Sequence, residues 1–120
     1  MQMYSPLTRV RATDLLFLAG MAATEADGSV IAANSFEQQC DCVYAKIRAT
    51  LESAGANMDN IVQFTTYLTD AADIPRFMEY RRREFPRLFP SGRFPPNTLV
   101  VVQQFVRKEL RIEIQSIAAV

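Results

Sequence analysis

The stretch Leu99-Val-Val-Val-Gln-Gln-Phe105 decides the fold of this 120-residue chain, because apolar side chains fall on both of its faces. Side chains alternate along a β-strand, so this pattern predicts a strand that is covered on both sides. A second strand-like segment, Leu110-Arg-Ile-Glu-Ile-Gln-Ser-Ile117, follows the short connection Val106-Arg-Lys-Glu109. So short a connection favours a hairpin, and we predict that strands 98–105 and 110–117 form an antiparallel pair.

The first helix is predicted from an apolar stripe whose members recur in steps of three and four residues. The stripe consists of Phe36, Cys40, Val43, Ile47 and Leu51. A capping box starts the helix, formed either by Asn34 with Glu37 or by Ser35 with Gln38, and Gly55 can end it in a left-handed conformation.

Three further segments complete the predicted order. Residues 8–12 and 15–20, with a turn around Thr13 and Asp14, read as an opening hairpin, and the β-branched stretch 61–69 reads as a strand. Asp70 or Asp73 can cap a second helix. The apolar stripe of that helix is Ile74, Phe77, Tyr80 or Arg81, and Phe85, and its exposed face holds Arg81, Arg82 and Arg83. The segment that follows, with Pro86, Pro90, Gly92, Pro95 and Pro96, is predicted to be a loop.

These elements predict one α+β domain over residues 1–120, in the order ββαβαββ, with a mixed sheet and both helices on one of its faces. The strand 98–105 nevertheless carries apolar residues of both parities. Because the helices can cover only one face, self-association of the sheets is the simplest way to bury the other.

Composition excludes several functional classes. Thirteen basic and thirteen acidic residues give no net charge, which argues against a nucleic-acid partner. The chain has no histidine, so it lacks the usual general base and the usual zinc ligand, and no metal or cofactor is expected. Cys40 and Cys42 point in different directions on a helix and are not expected to act together. No apolar stretch reaches the roughly 20 residues of a membrane span, and we expect a cytoplasmic protein.

Several segments in order resemble the Rid family of reactive intermediate deaminases, also called the YjgF family. They are Leu16-Phe-Leu-Ala-Gly20, the long first helix, Leu51-Glu-Ser-Ala-Gly-Ala56, Thr66-Tyr-Leu-Thr-Asp70, the proline-rich turn, and Ile112-Glu-Ile-Gln-Ser-Ile-Ala118. The resemblance implies a chorismate-mutase-like fold, a homotrimer whose sheets pack into a central barrel, and clefts between subunits that bind small carboxylates.

The resemblance also implies a cofactor-free hydrolysis of enamines or imines, such as 2-aminoacrylate, to a keto acid and ammonia. In the family an arginine holds the substrate carboxylate and a glutamate positions the attacking water. Glu113 matches the glutamate, although it could instead line a polar sheet face with Arg111 and Gln115. Asn97 stands in the place of the arginine and carries no charge, which should weaken carboxylate binding.

Other candidate binding residues follow from the same resemblance. Arg93 could substitute for the missing arginine or be an ordinary surface residue, and Gly20 matches a glycine that lines the cleft or simply ends a strand. Tyr4 resembles a pocket tyrosine, with a spacing to Gly20 that differs by two positions, or serves as a hydrophobic anchor. Met78 stands where the family commonly has an amide.

The residues therefore support more than one function. A deaminase with altered specificity, in which Glu113 orients water, is the first hypothesis. A protein that binds a small metabolite without turnover is the second, because a fold can outlast its chemistry. An accessory subunit in a metabolic pathway is the third. The fourth, a ribonuclease, is disfavoured by the lack of histidine and of net positive charge.

Overall fold

The computed structural model describes residues 3–120. Within that part of the chain, four strands form a single mixed sheet, and two helices complete the fold. The elements are β1 (Leu15–Ala22), α1 (Phe36–Ser53), β2 (Ile61–Leu68), α2 (Ile74–Leu88), β3 (Asn97–Val101) and β4 (Ile112–Ala119). Short 3₁₀ turns, Met58–Asn60 and Ala71–Asp73, precede β2 and α2. The predicted α+β fold, with two helices on a mixed sheet, is confirmed.

The sheet has the strand order β1-β4-β2-β3. β4 runs antiparallel to both β1 and β2, whereas β3 runs parallel to β2. The prediction that the last two strands pair with each other is therefore wrong. The crossover through α2 places β3 parallel to β2 along one side of that strand. Because β4 pairs with the opposite side of β2, residues 102–111 must cross β2 to connect β3 with β4.

The predicted opening hairpin is also wrong, and the order is βαβαββ. Residues 8–12 form no strand. The backbone N–H groups of Thr13 and Asp14, which the hairpin turn would need, both donate to the Val120 carbonyl at 2.8 and 3.0 Å. The chain at this point is tied to the end of β4 and enters β1 directly.

The first helix forms as its sequence predicts. Of the two capping boxes considered, the structure uses Ser35, whose hydroxyl accepts the Gln38 N–H at 3.2 Å. The apolar stripe is fully buried against the sheet, and Gly55 ends the helix at a φ of 76°. Cys40 lies in the core, whereas Cys42 lies partly exposed on another face.

The second helix departs from the prediction at two residues. It continues through Pro86 to Leu88, because the burial of Phe85 and Leu88 outweighs the one backbone bond that proline cannot make. Arg81, predicted on the exposed face, is only 4% exposed, while Arg82 and Arg83 do face solvent. Neither helix is long and apolar enough to span a membrane.

The core lies between the two helices and one sheet face. Its largest fully buried side chains are Tyr44, Tyr80, Phe36, Phe64, Phe77, Phe85 and Phe89. The core residues of β4 include Ile112 and Ile114, so the residue between them, Glu113, points to the opposite sheet face. No helix of the described chain covers that face, and Phe17 is 71% exposed on it.

Candidate functional site

Glu113 and Gly20 meet on the sheet face that lies away from the helices. The pairing of β1 with β4 shifts between Leu18 and Met21, so the strand is irregular at Ala19 and Gly20. A Cβ atom at position 20 would lie 2.5 Å from Oε2 of Glu113 and 3.0 Å from its Cδ. The Glu113 carboxylate thus occupies the space that any side chain at position 20 would need, and two of the predicted site residues are brought together.

This pair borders an open cleft of about 420 Å³. The cleft is lined by Gly20, Tyr67, Val102, Gln104, Phe105, Glu113 and Gln115. Glu113 is partly exposed, and its carboxylate accepts no hydrogen bond from any described side chain. Its oxygens are therefore available to a water molecule or a ligand, which is the requirement for orienting water or accepting a proton.

Arg111 does not share a polar face with Glu113, contrary to the alternative considered from the sequence. Its guanidinium binds Asp73 through two hydrogen bonds of 2.6 and 3.1 Å and lies 5.4 Å from the centre of the Phe36 ring. Asp73 is 2% exposed at the start of α2. Because this arginine is neutralised on the helix side, Glu113 has no ion-pair partner among residues 3–120.

Gln39 fixes the start of β4 and was not recognised from the sequence. Its side chain is fully buried, its Nε2 donates to the Glu109 carbonyl at 3.0 Å, and its Oε1 accepts the Arg111 N–H at 2.8 Å. These bonds hold the chain two residues before Glu113 and so position the strand. The signal for it was an amide directly beside Cys40 on the buried stripe of α1.

Asn97 lies elsewhere in the sheet. It begins β3 opposite Phe64, whereas Glu113 lies opposite Tyr67. The two residues are separated by two strand spacings and three residue positions, roughly 14 Å in ideal sheet geometry. An odd offset also places them on opposite faces, and the Asn97 Oδ1 accepts a 2.7 Å hydrogen bond from the buried Thr66 hydroxyl. One chain therefore does not bring Asn97 to Glu113.

Arg93 and Tyr4 occupy two further places. Arg93 is exposed in the proline-rich loop and borders a hollow of about 430 Å³ together with Arg9, Arg11 and Asp59. Tyr4 is 39% exposed and lies beside α2, in a different hollow that includes Met78. Of the five predicted site residues, Glu113 and Gly20 are adjacent, whereas Asn97, Arg93 and Tyr4 lie at three separate places.

Among residues 3–120, no three His, Cys, Asp or Glu side chains lie close enough together to hold a metal ion. The two thiols are also unsuited to nucleophilic chemistry. Burial raises the pKa of the Cys40 thiol. Burial also raises the pKa of the Cys42 thiol, which is less deeply buried. The chemistry of the cleft therefore rests on its carboxylate, amide and hydroxyl groups.

Comparison with known proteins identifies the family of the chain. A model of the Endoribonuclease L-PSP family matches residues 1–120. A RutC family protein from Saccharolobus solfataricus is 31% identical over 109 residues, which span 91% of this chain and 82% of that protein.

Two solved structures from Yersinia pestis, both described as proteins of unknown function of the conserved Rid family, are similar in fold. YyfB has a TM-score of 0.85 at 22% identity, covering 98% of this chain and 87% of its own. YyfA has a TM-score of 0.76 at 26% identity, covering 90% and 82%. The chain therefore belongs to the Endoribonuclease L-PSP family, the family of the YjgF and Rid proteins.

Proposed function

We propose that the protein is a cofactor-free hydrolytic deaminase that converts reactive enamine or imine metabolites to a carbonyl product and ammonia. Family membership supports a general role as a small-molecule deaminase or an endoribonuclease-like protein. The observation that carries the finer proposal is the Glu113 carboxylate, which has no side-chain partner among residues 3–120 and lies against Gly20 at the edge of an open cleft.

The proposed reaction needs only one carboxylate and one water molecule. An enamine first takes a proton from solvent on carbon and becomes an iminium ion. Glu113 accepts a proton from the bound water as the water oxygen attacks the iminium carbon, and the π electron pair of the C=N bond moves onto nitrogen to give a neutral amino alcohol. The nitrogen then takes this proton from Glu113, the C–N bond breaks to release ammonia, and the hydroxyl proton returns to solvent as the carbonyl forms, so one water is consumed for each ammonia formed.

The position of Asn97 bears on the substrate. Asn97 is neutral, its carbonyl oxygen is already hydrogen-bonded to Thr66, and it lies on the other sheet face from Glu113. A bidentate arginine contact to a carboxylate is roughly twice as strong as a neutral hydrogen bond, so its loss should relax selection for a carboxylate beside the imine. We propose a substrate that is less acidic or larger than 2-aminoacrylate.

A homotrimer is part of the proposal. The sheet face away from the helices exposes Leu15, Phe17 and Val100, and burying apolar area of this kind favours association. Clefts between subunits would then unite Glu113 and Gly20 of one copy with Asn97, Arg93 or Tyr4 of another. Phe17→Asp should convert the trimer to a monomer in light scattering, while the exposed control Lys108→Asp should leave it intact; a trimeric Phe17→Asp protein would contradict this interface.

The test of the function is the release of ammonia and keto acid from freshly generated enamines, ranging from acidic to bulky neutral side chains. Glu113→Gln keeps the shape of the side chain but removes its charge, and it should lower turnover by about 10²–10⁴-fold. Glu52→Gln, at an exposed position near the end of α1, is the matched control and should have full activity. Equal turnover by Glu113→Gln and the wild type would reject Glu113 as the water-orienting group.

A second candidate function is metabolite binding without turnover. The observation that favours it is the described lining of the cleft beside Glu113, which contains no arginine or lysine to hold a substrate carboxylate. The same assay separates the two functions. Absence of turnover over the whole panel, together with a rise in Tm on adding the stable keto acids, would support a binding protein.

A further inference from the structure

Three arginines border one hollow of the structure, and none of them has an ion-pair partner within residues 3–120. The hollow has a volume of about 430 Å³ and lies between the segment before β1, the start of β2 and the proline-rich loop. Its arginines are Arg9, Arg11 and Arg93, all of them exposed. Every ion pair in the described part of the chain uses a different arginine.

The fold brings these like charges together from distant parts of the chain. Arg93 belongs to the loop before β3, whereas Arg9 and Arg11 belong to the segment before β1. The Ser5 hydroxyl donates a hydrogen bond to the Phe94 carbonyl and so ties that segment to the loop. Like charges repel each other, and an anion bound between them would relieve that repulsion.

The charge of the hollow favours an anionic ligand. Among the described residues that line it, Asp59 is the one acidic side chain. The Asp59 Oδ1 accepts a 2.7 Å hydrogen bond from the Ser91 hydroxyl rather than from an arginine. Three positive charges and one negative charge leave the lining with a net charge of +2. A concave surface whose charge has one sign concentrates ligands of the opposite sign.

Residues 6–12 form a strap that is fixed only at its two ends. Ser5 holds one end, and the N–H groups of Thr13 and Asp14 hold the other through the Val120 carbonyl. Between these anchors the strap is exposed and forms no hydrogen bond with any other residue from 3 to 120. A segment with so few contacts can shift at little cost in free energy. Both of its arginines can therefore adjust to a ligand in the hollow.

The rest of the lining is largely apolar. It includes Leu7, Val10, Ile61, Val62, Phe94 and Pro95. Leu7 and Val10 lie on the strap and are 73% and 45% exposed, so they retain apolar surface that a ligand can cover. The hollow thus offers positive charge to one part of a ligand and apolar surface to another.

We propose that this hollow binds a small phosphate monoester with an apolar body, and that Arg9, Arg11 and Arg93 recognise its phosphate. A phosphate monoester carries a charge of about −1.5 to −2 near pH 7, which matches the lining, whereas a carboxylate would neutralise only half of that charge. Its three terminal oxygens can accept forked hydrogen bonds from more than one guanidinium. The site includes neither Glu113 nor Gly20, so it goes beyond the proposed deaminase chemistry and does not depend on it.

The direct test compares phenyl phosphate with benzoate, which lacks the phosphate, and with inorganic phosphate, which lacks the apolar body. In calorimetric titrations of the full-length protein at about pH 7.5, phenyl phosphate should bind at least tenfold more tightly than either. An affinity for benzoate or for inorganic phosphate equal to that for phenyl phosphate would overturn the inference. Tighter binding of a single-stranded hexanucleotide would overturn it in favour of a nucleic-acid partner.

Variants of the arginines test which side chains recognise the phosphate. Arg9→Gln and Arg93→Gln should each weaken phenyl phosphate binding at least fivefold, because each removes a charge-assisted contact. Arg107→Gln is the matched control, since Arg107 is also exposed and without an ion pair in the described chain but lies outside the hollow, and it should change the affinity less than twofold. An unchanged affinity in both Arg9→Gln and Arg93→Gln would reject the site.

A second measurement uses the strap of the unaltered protein. Trypsin cleaves after arginine, and saturating phenyl phosphate should slow cleavage after Arg9 and Arg11 at least fivefold, as followed by mass spectrometry. Cleavage after Arg107 should change less than twofold. Arg93→Gln keeps both cleavage sites of the strap but should lose the protection. Unchanged cleavage after Arg9 and Arg11 in the wild type would overturn the inference whatever the deaminase assay shows.

Discussion

Replacing Gly20 with alanine should disable the cleft without unfolding the protein. The new methyl group would lie 2.5 Å from the Glu113 Oε2, about 1 Å inside the ordinary contact distance of roughly 3.5 Å. Gly20 does not have a positive φ, so its backbone tolerates alanine. The carboxylate must therefore move by about 1 Å, and a misplacement of that size costs about 10²-fold in rate, or about 2.7 kcal/mol of transition-state stabilisation.

The assay measures turnover and stability in the same four proteins: wild type, Gly20→Ala, Glu113→Ala and the double variant. Gly20→Ala should reduce ammonia release about 100-fold while changing the free energy of unfolding by less than about 1 kcal/mol, because Glu113 lies at an open cleft and can turn away. The Glu113→Ala background lacks the carboxylate that would contact a side chain at position 20. The same glycine substitution should then be neutral or stabilising, and the cycle yields the coupling between the two positions.

Two results would refute this reasoning. Full turnover by Gly20→Ala would mean that the position of the Glu113 carboxylate is not critical. An identical effect of Gly20→Ala on stability in both backgrounds would mean that the two side chains do not compete for space. Gly55→Ala is an informative comparison, because its φ of 76° makes alanine unfavourable there although no atom lies within 4 Å of the new methyl group.

Three other properties can be checked independently. Asp73→Ala removes a buried ion pair with the arginine that precedes β4 and should lower the free energy of unfolding by about 2–4 kcal/mol in urea titration. A hydrogen bond from Arg76 lowers the pKa of Glu37 in the folded state, so its stabilisation is present above about pH 4.5 and is lost as the pH falls through the folded value. Glu37→Gln should flatten this acid dependence by less than about 1 kcal/mol, since the Arg76 and Glu37 side chains are 42% and 37% exposed. Iodoacetamide should modify Cys42 well before the fully buried Cys40, as followed by mass spectrometry, and equal rates would contradict their difference in burial.

Local patterns predicted the helices and the central strands well, because their signals lie within one element. The stripe from Phe36 to Leu51 specified the buried face of α1, and Ser35 and Gly55 marked the positions just outside its ends. The alternation around Glu113 placed it correctly between two core isoleucines. Such signals need only the geometry of a helix or a strand, which the chain itself supplies.

Errors arose where two segments competed for the same partner. The short connection after Phe105 predicted a pair between the last two strands, but β2 lies between them. The turn at Thr13 and Asp14 predicted a hairpin, but the Val120 carbonyl takes both of its N–H groups. Hydrogen bonds between distant segments decide such competition, and no pattern within either segment reveals which will form.

The candidate site shows the same division. The sequence by itself determined the family, the two amphipathic helices, the outward-facing carboxylate at Glu113 and the absence of histidine chemistry. Only the tertiary structure decided that Gly20 makes room for that carboxylate, that Asn97 faces the other side of the sheet, and that Arg81 is buried unpaired. Periodicity specifies which face of an element is apolar, but the space and the charge that meet that face come from other parts of the chain.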